Sequence, residues 1–216
     1  MTKKYELVLD DTISFWGWKL FRIRALISFG SVEVGDLGGY IEKEENLSHD
    51  GNAWVYGNAK VSGNAKVWGN AEVLGNAKVW GNAEVWGNAK VWGNAEVYGN
   101  AKVSGNAKVW GNAKVSGNAK VWGNAEVLGN AKVWGNAEVL GNAEVSELGD
   151  IIVFKNHWSS GRHFTYTKSN KMWKVGCFYG TGQELIEKAY RDSEKSGNYY
   201  KAYVDFVATL ERLSEE

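Results

Sequence analysis

Residues 63–86 read GNAKVWGNAEVLGNAKVWGNAEVW, four copies of one six-residue unit in which only the fourth and sixth positions vary. The unit extends both ways: from Gly51 to Ser146 the chain reads GNAxVx sixteen times, with no insertion or deletion and no change at the fixed positions. A period this strict marks a solenoid, in which each unit buries its apolar face against its neighbours. Six residues are too few for a helical repeat and suit one short strand plus a corner. Ala and Val lie two apart, so a pleated strand turns both to one side and sends the variable residues to the other. Valine's β-branching suits the strand. Gly and Asn are the pair best able to take positive φ at the corner, and stacked Asn side chains are placed to hydrogen-bond from coil to coil. Three units make one triangular coil, so the sixteen units predict about five coils and a rod roughly 25 Å tall at ~4.8 Å per rung. The apolar residues Ile41 and Leu47 share the phase of Ala53, which places a degenerate coil near Gly39.

The variable positions divide by chemistry. The fourth holds nine Lys, six Glu and Trp54; the sixth holds seven Trp, two Tyr, three Leu and four Ser. Outward Lys and Glu columns read as a solvated face that keeps the rod soluble. Stacking each residue on the one three units later pairs Glu72 with Lys90, Lys78 with Glu96 and Lys66 with Glu84, but also Lys60 with Lys78 and Lys90 with Lys108. The same stacking puts Trp68 over Trp86, Trp92 over Trp110 and Trp80 over Tyr98 on three different faces. Such rings either stabilise the sheet as cross-strand neighbours or form an interaction surface.

The flanks are less regular. Residues 1–50 read as a small strand-rich cap: YELVL, then KLFRIRAL with Phe21, Ile23 and Ala25 alternating with Arg22 and Arg24. Residues 147–216 read as an α+β domain. Strands are expected near 151–155, 163–168 and 172–179, the last with Trp173, Val175, Cys177 and Tyr179 on one face. Helices are expected over about 183–195 and 199–213, the second apolar at Tyr203, Phe206, Val207 and Leu210. Thr181 and Glu184 form a capping box before the first helix. Between Ile151 and Gln183 no acidic residue occurs, while Lys155, Arg162, Lys168, Lys171 and Lys174 are interleaved with aromatic residues. That mixture suits a ligand carrying both a ring and a phosphate. The candidate binding residues are therefore Trp158, Arg162, His163, Lys168, Lys171 and Thr181 here, with Trp68, Trp86, Trp92 and Trp110 on the rod. GTGQE lacks the lysine of a phosphate-binding P-loop.

The chain carries 25 basic and 25 acidic residues, so no whole-molecule field draws it to nucleic acid or an anionic membrane, and sequence-specific nucleic-acid binding is not expected. One cysteine, Cys177, excludes an internal disulfide and fits a reducing cytosol. The N-terminal stretch lacks a signal-peptide apolar run and no segment has the length of a membrane span, so a soluble cytoplasmic protein is expected. No metal, cofactor or catalytic residue is expected, since no His or Cys has ligand-like neighbours.

The repeat resembles the left-handed parallel β-helix built from hexapeptides, with Val at its aliphatic and Ala at its small position. Acyltransferases on that scaffold use a histidine beside the coils and an inserted loop. Here His49, His157 and His163 all lie outside the perfect units, and no loop interrupts them. Ice-binding members present outward threonines, and this repeat has none. More closely, the chain resembles hexapeptide-repeat proteins of phages and prophages. The resemblance is carried by YELVLDD (5–11), LFRIRAL (20–26), GDLGGYIEKEENLSHDGNAWVYGNA (35–59) and WKVGCFYGT (173–181). It implies a phage-type accessory protein in the host cytoplasm that acts by binding a host protein or sequestering a nucleotide-like ligand, a counter-defence role without catalysis. The alternative is a structural module that homo-oligomerises through rod ends or Trp faces.

Overall fold

The computed structural model describes residues 3–214; Met1, Thr2, Glu215 and Glu216, at the outer ends of the expected cap and C-terminal domain, lie outside the described residues. The chain divides into two compact units, Met1–Leu148 and Gly149–Glu216.

In the first unit each GNAxVx copy supplies a two-residue strand at its fourth and fifth positions, from Trp54–Val55 to Glu144–Val145. Each pairs in parallel with the strand three units away, Val79 with Val97 and Val97 with Val115. Three sheets result, and every repeat Ala and Val is essentially fully buried between them. The corner divides its labour more sharply than the sequence implies. Glycine alone takes the left-handed backbone, as at Gly99 (φ 72°), while no repeat Asn has positive φ. A side chain on Gly99 would also meet the backbone of Gly117, its Cβ 3.1 Å from the amide nitrogen. Asparagine instead builds ladders along the three corners: Asn64 donates to Asn82, Asn82 to Asn100, Asn100 to Asn118 and Asn118 to Asn136, at 3.0–3.2 Å. Asn100→Ala removes one such bond as donor and one as acceptor at a solvated corner, so it is expected to cost about 1 kcal/mol, read from the urea unfolding midpoint.

The rod has six rungs on each face rather than five: the sixteen units supply six on one face and five on each of the other two, where residues 37–47 add the sixth. Strand β3 (Leu37–Ile41) pairs in parallel with Lys60–Val61, Ile41 facing Val61, and Leu47 bridges Val67. Ile41 and Leu47 thus occupy the valine position and not the alanine position their spacing to Ala53 implies. Between Leu47 and Val55 the chain carries two surplus residues, absorbed in a corner where the Asp50 amide donates to Ser48.

The exposed backbone edge at this end is closed by polar side chains. Lys4 is fully buried and donates to the carbonyls of Gly51 and Ala53, with its ammonium over the Phe29 ring; burial lowers its pKa to about 8. The Asn46 amide donates to the carbonyls of Gly63 and Ala65. The third edge is extended by the hairpin β1 (Tyr5–Phe15) and β2 (Trp18–Ala25), β2 pairing antiparallel with β3. In β2 the buried residues are Leu20, Ile23 and Ala25, whereas Phe21 is only half-buried: a register shift between Arg22 and Arg24 breaks the expected alternation.

The second unit is an antiparallel meander of Ile151–Lys155, His163–Thr167, Met172–Val175 and Phe178–Thr181, followed by α1 (Gly182–Asp192) and α2 (Glu194–Leu213). Its core gathers Phe164, Tyr166, Trp173, Val175, Leu185 and Val207. The expected strand 172–179 is in fact two. Val175 pairs with Phe178 across a tight turn at Gly176 (φ 56°) and Cys177, so Cys177 is exposed and Tyr179 leaves the core face. The second helix starts at Glu194, capped by Ser193; Tyr203 and Val207 meet the core as expected, but Phe206 is 53% exposed, and Tyr200 and Val204 pack there in its place. No helix of the described residues is long and apolar enough to cross a membrane.

Candidate ligand-binding faces

Folding sorts the variable residues into columns that the linear sequence interleaves. On one face the fourth-position column reads Lys60, Lys78, Glu96, Lys114, Lys132. Four lysines against one glutamate give it a net charge of +3. A second face carries Lys66, Glu84, Lys102, Lys120 and Glu138, net +1. The third carries Glu72, Lys90, Lys108, Glu126 and Glu144, net −1. A chain of zero net charge therefore presents one distinctly basic face.

Ion pairs run between rungs. Lys90 meets Glu72 at 2.9 Å and Lys108 meets Glu126 at 2.8 Å. Glu84 pairs with Lys102 below it at 3.1 Å, and not with Lys66. On the basic face Glu96 serves two ammonium groups, Lys114 at 2.8 Å and Lys78 at 3.2 Å. Burial pushes the Glu96 carboxyl up, but the hydrogen bonds and charges of Lys114 and Lys78 outweigh it and hold the pKa below the usual range. At the upper end, burial and then the neighbouring Lys78 lower Lys60.

The sixth-position rings stack as their spacing requires. Trp68 and Trp86 lie 5.0 Å apart, Trp80 and Tyr98 4.5 Å, Trp92 and Trp110 5.6 Å, all within 4° of parallel. Within each pair, facing surfaces are consumed by one another. Ring faces remain only where a column is interrupted, and serine is the residue that interrupts it without filling the space. On the basic face the sixth-position column reads Ser62, Trp80, Tyr98, Ser116, Trp134. The hairpin tip already uses its upper half: Trp16 meets Trp80 edge-on at 4.9 Å, Phe15 stacks on Trp16, and Lys78 approaches both rings. The lower half carries Trp134, 53% exposed.

The candidate residues of the second unit do not converge. Trp158 and Arg162 lie in the loop before His163–Thr167, while Lys168 and Lys171 lie beyond its other end. Thr181 pairs with Met172, at that same far end. Trp158 stacks on Tyr199 at 4.2 Å; Arg162 lies over Gly176; His163 is half-buried at the strand start; Lys168 donates to Ser214; Lys171 adopts φ 54° in a turn. The capping box occupies the start of α1: Glu184 accepts from the Thr181 amide at 2.8 Å, placing a carboxylate where a phosphate would bind. A cavity of about 230 Å³ is lined by Arg162, Cys177, Lys188, Asp192 and Tyr200. It is smaller than the ~300 Å³ at which small-molecule sites begin. Within it burial raises the Tyr200 hydroxyl's pKa, opposed by the Asn156 hydrogen bond and the charge of Arg162.

A larger groove of about 780 Å³ lies beside Trp68 at the first coil, lined by Glu44, Glu45, His49, Lys66 and Glu84. Three carboxylates against one lysine disfavour an anion there. His49 accepts from the Lys4 amide at Nδ1 and stacks on Tyr5, so its ring is a structural part of the cap. No group of His, Cys, Asp and Glu among the described residues is placed to hold a metal ion. No protein-family model matches the chain, and no curated protein matches it.

Proposed function

We propose that this chain is a non-catalytic binding protein whose β-solenoid presents the basic face to a nucleotide-like anion. The observation that carries the proposal is the coincidence, on one face, of a +3 lysine column with an aromatic column. Rings supply stacking surface and lysines supply charge, the two terms that bind nucleotides without sequence readout. The phage-type sequence resemblance extends the proposal to a phage-encoded protein of the host cytoplasm that sequesters a signal nucleotide. The test is native mass spectrometry of the full chain purified from cells. A retained nucleotide-class mass, absent when Lys114 and Lys132 are both changed to Glu, supports the reading; an empty chain that also fails to take up added nucleotides overturns it. Binding is expected to weaken steeply with salt, since exposed lysines are screened beyond ~8 Å at physiological ionic strength.

A further inference from the structure

We infer that one slot on the basic face, walled by Tyr98 and Trp134 and floored by Ser116, takes the base of a purine mononucleotide while Lys114 and Lys132 take its phosphate. The inference rests on the binding reading above and narrows it to named atoms.

The three residues follow one another rung by rung. Val97 pairs with Val115 and Val115 with Val133, and the Tyr98 and Ser116 amides donate to the carbonyls of Val115 and Val133. Tyr98 spends one ring face on Trp80, at 4.5 Å and 2°. Its other face looks toward the Ser116 rung, with Trp134 one rung beyond. At ~4.8 Å per rung the Tyr98 and Trp134 positions stand roughly 9–10 Å apart, room for one flat ring at about the spacing of the existing stacks. Ser116 is the small residue between the rings of Tyr98 and Trp134, and its hydroxyl forms no hydrogen bond among the described residues.

The charge beside the slot is suited to a phosphate. Lys114 and Lys132 are register partners on adjacent rungs; Lys114 shares Glu96 with Lys78, and Lys132 makes no ion pair among the described residues. Two ammonium groups on neighbouring rungs repel each other until an anion joins them. Fourth and sixth positions are two residues apart, roughly 7 Å along a strand, the reach from a base to its 5′-phosphate. The molecule supplies its own precedent, since at the Ser62 gap of the same column the Trp16 ring sits against Trp80 with Lys78 beside it. The Trp86, Ser104, Trp122 run on the second face repeats the ring and serine order, but there Lys102 and Lys120 are neutralised by Glu84 and Glu138.

The test is titration of the full chain with AMP, adenosine and ribose 5-phosphate at low salt, followed by tryptophan fluorescence and calorimetry. One AMP is expected per chain, with quenching, and adenosine and ribose 5-phosphate are each expected to bind at least about tenfold more weakly. Ser116→Trp fills the slot and abolishes binding; Trp134→Ala weakens it about ten- to a hundredfold; Lys132→Glu, a surface change that leaves the rod intact, weakens it at least about tenfold; Ser104→Trp leaves it unchanged. AMP binding that survives Ser116→Trp, or that is lost with Ser104→Trp instead, overturns the slot while leaving the nucleotide-binding face standing. Absence of AMP binding in the unaltered chain overturns the slot, and if no nucleotide is taken up at all, the face reading falls with it.

Discussion

Replacing Val97 by aspartate unfolds the rod. Val97 is fully buried in the central rungs, between Val79 and Val115, and its neighbours inside the coil are other repeat Val and Ala side chains with nothing to hydrogen-bond a carboxylate. Burying a charge without a partner costs more than ~4 kcal/mol, in the tail of single-substitution effects. In a solenoid each coil is stabilised by its two neighbours, so a break at the middle also uncouples the rungs on either side. Loss of the far-UV strand signal at 25 °C, or a fall in melting temperature far beyond that of Asn100→Ala, is the expected result. One residue earlier the outcome reverses in scale. Glu96→Gln gives up ion pairs that are part-exposed and screened, for about 1 kcal/mol or less. Because the folded carboxyl's pKa is depressed, that contribution is present above the ordinary carboxylate pKa and is lost as pH falls through the lowered value.

Trp173→Ala has a comparable effect on the second unit. Trp173 is buried at the centre of the one core there, in contact with Phe154, Phe164 and Tyr166 rings at 5.2–6.5 Å. Truncating such a residue costs about 3–5 kcal/mol. A unit spanning Gly149–Glu216 has a total stability of only about 3–10 kcal/mol by the usual per-residue yield. The substitution therefore removes between roughly a third and all of it, and hydrogen exchange is expected to show amides of 163–181 and both helices losing protection while the rod amides stay slow. Phe206→Ala, on the same helical hairpin but half exposed, is expected to change little.

The difference between what could and could not be read from the chain has physical causes. The repeat was legible because Ala and Val recur with a period that only stacked short strands can bury. The capping box was legible because Thr181 and Glu184 are three apart, and all the partners are local. The split at Gly176–Cys177 was hidden because Trp173, Val175, Cys177 and Tyr179 alternate as one unbroken strand would; the two-residue turn inverts that parity, pairing Val175 with Phe178 and Lys174 with Tyr179, so the core face passes from odd to even positions. A glycine at the first of two loop positions was the signal that a hairpin turn was available there. The surplus pair between Leu47 and Val55 was hidden because apolar residues fall on both inward phases. Above all, the basic face was invisible because its members are eighteen positions apart, interleaved with two columns of different charge.

That interleaving gives the rod something like a reading frame. Since strands pair with those three units away, adding or removing three units lengthens or shortens the rod and leaves every column's composition contiguous. Removing one or two units leaves the Gly, Asn, Ala and Val scaffold undisturbed, yet moves each downstream variable residue onto a different face, joining the upper half of one column to the lower half of another. A gene of such repeats can thus scramble its surface chemistry by recombination without risking its fold, and copies related by whole-coil steps keep the same basic face at different heights.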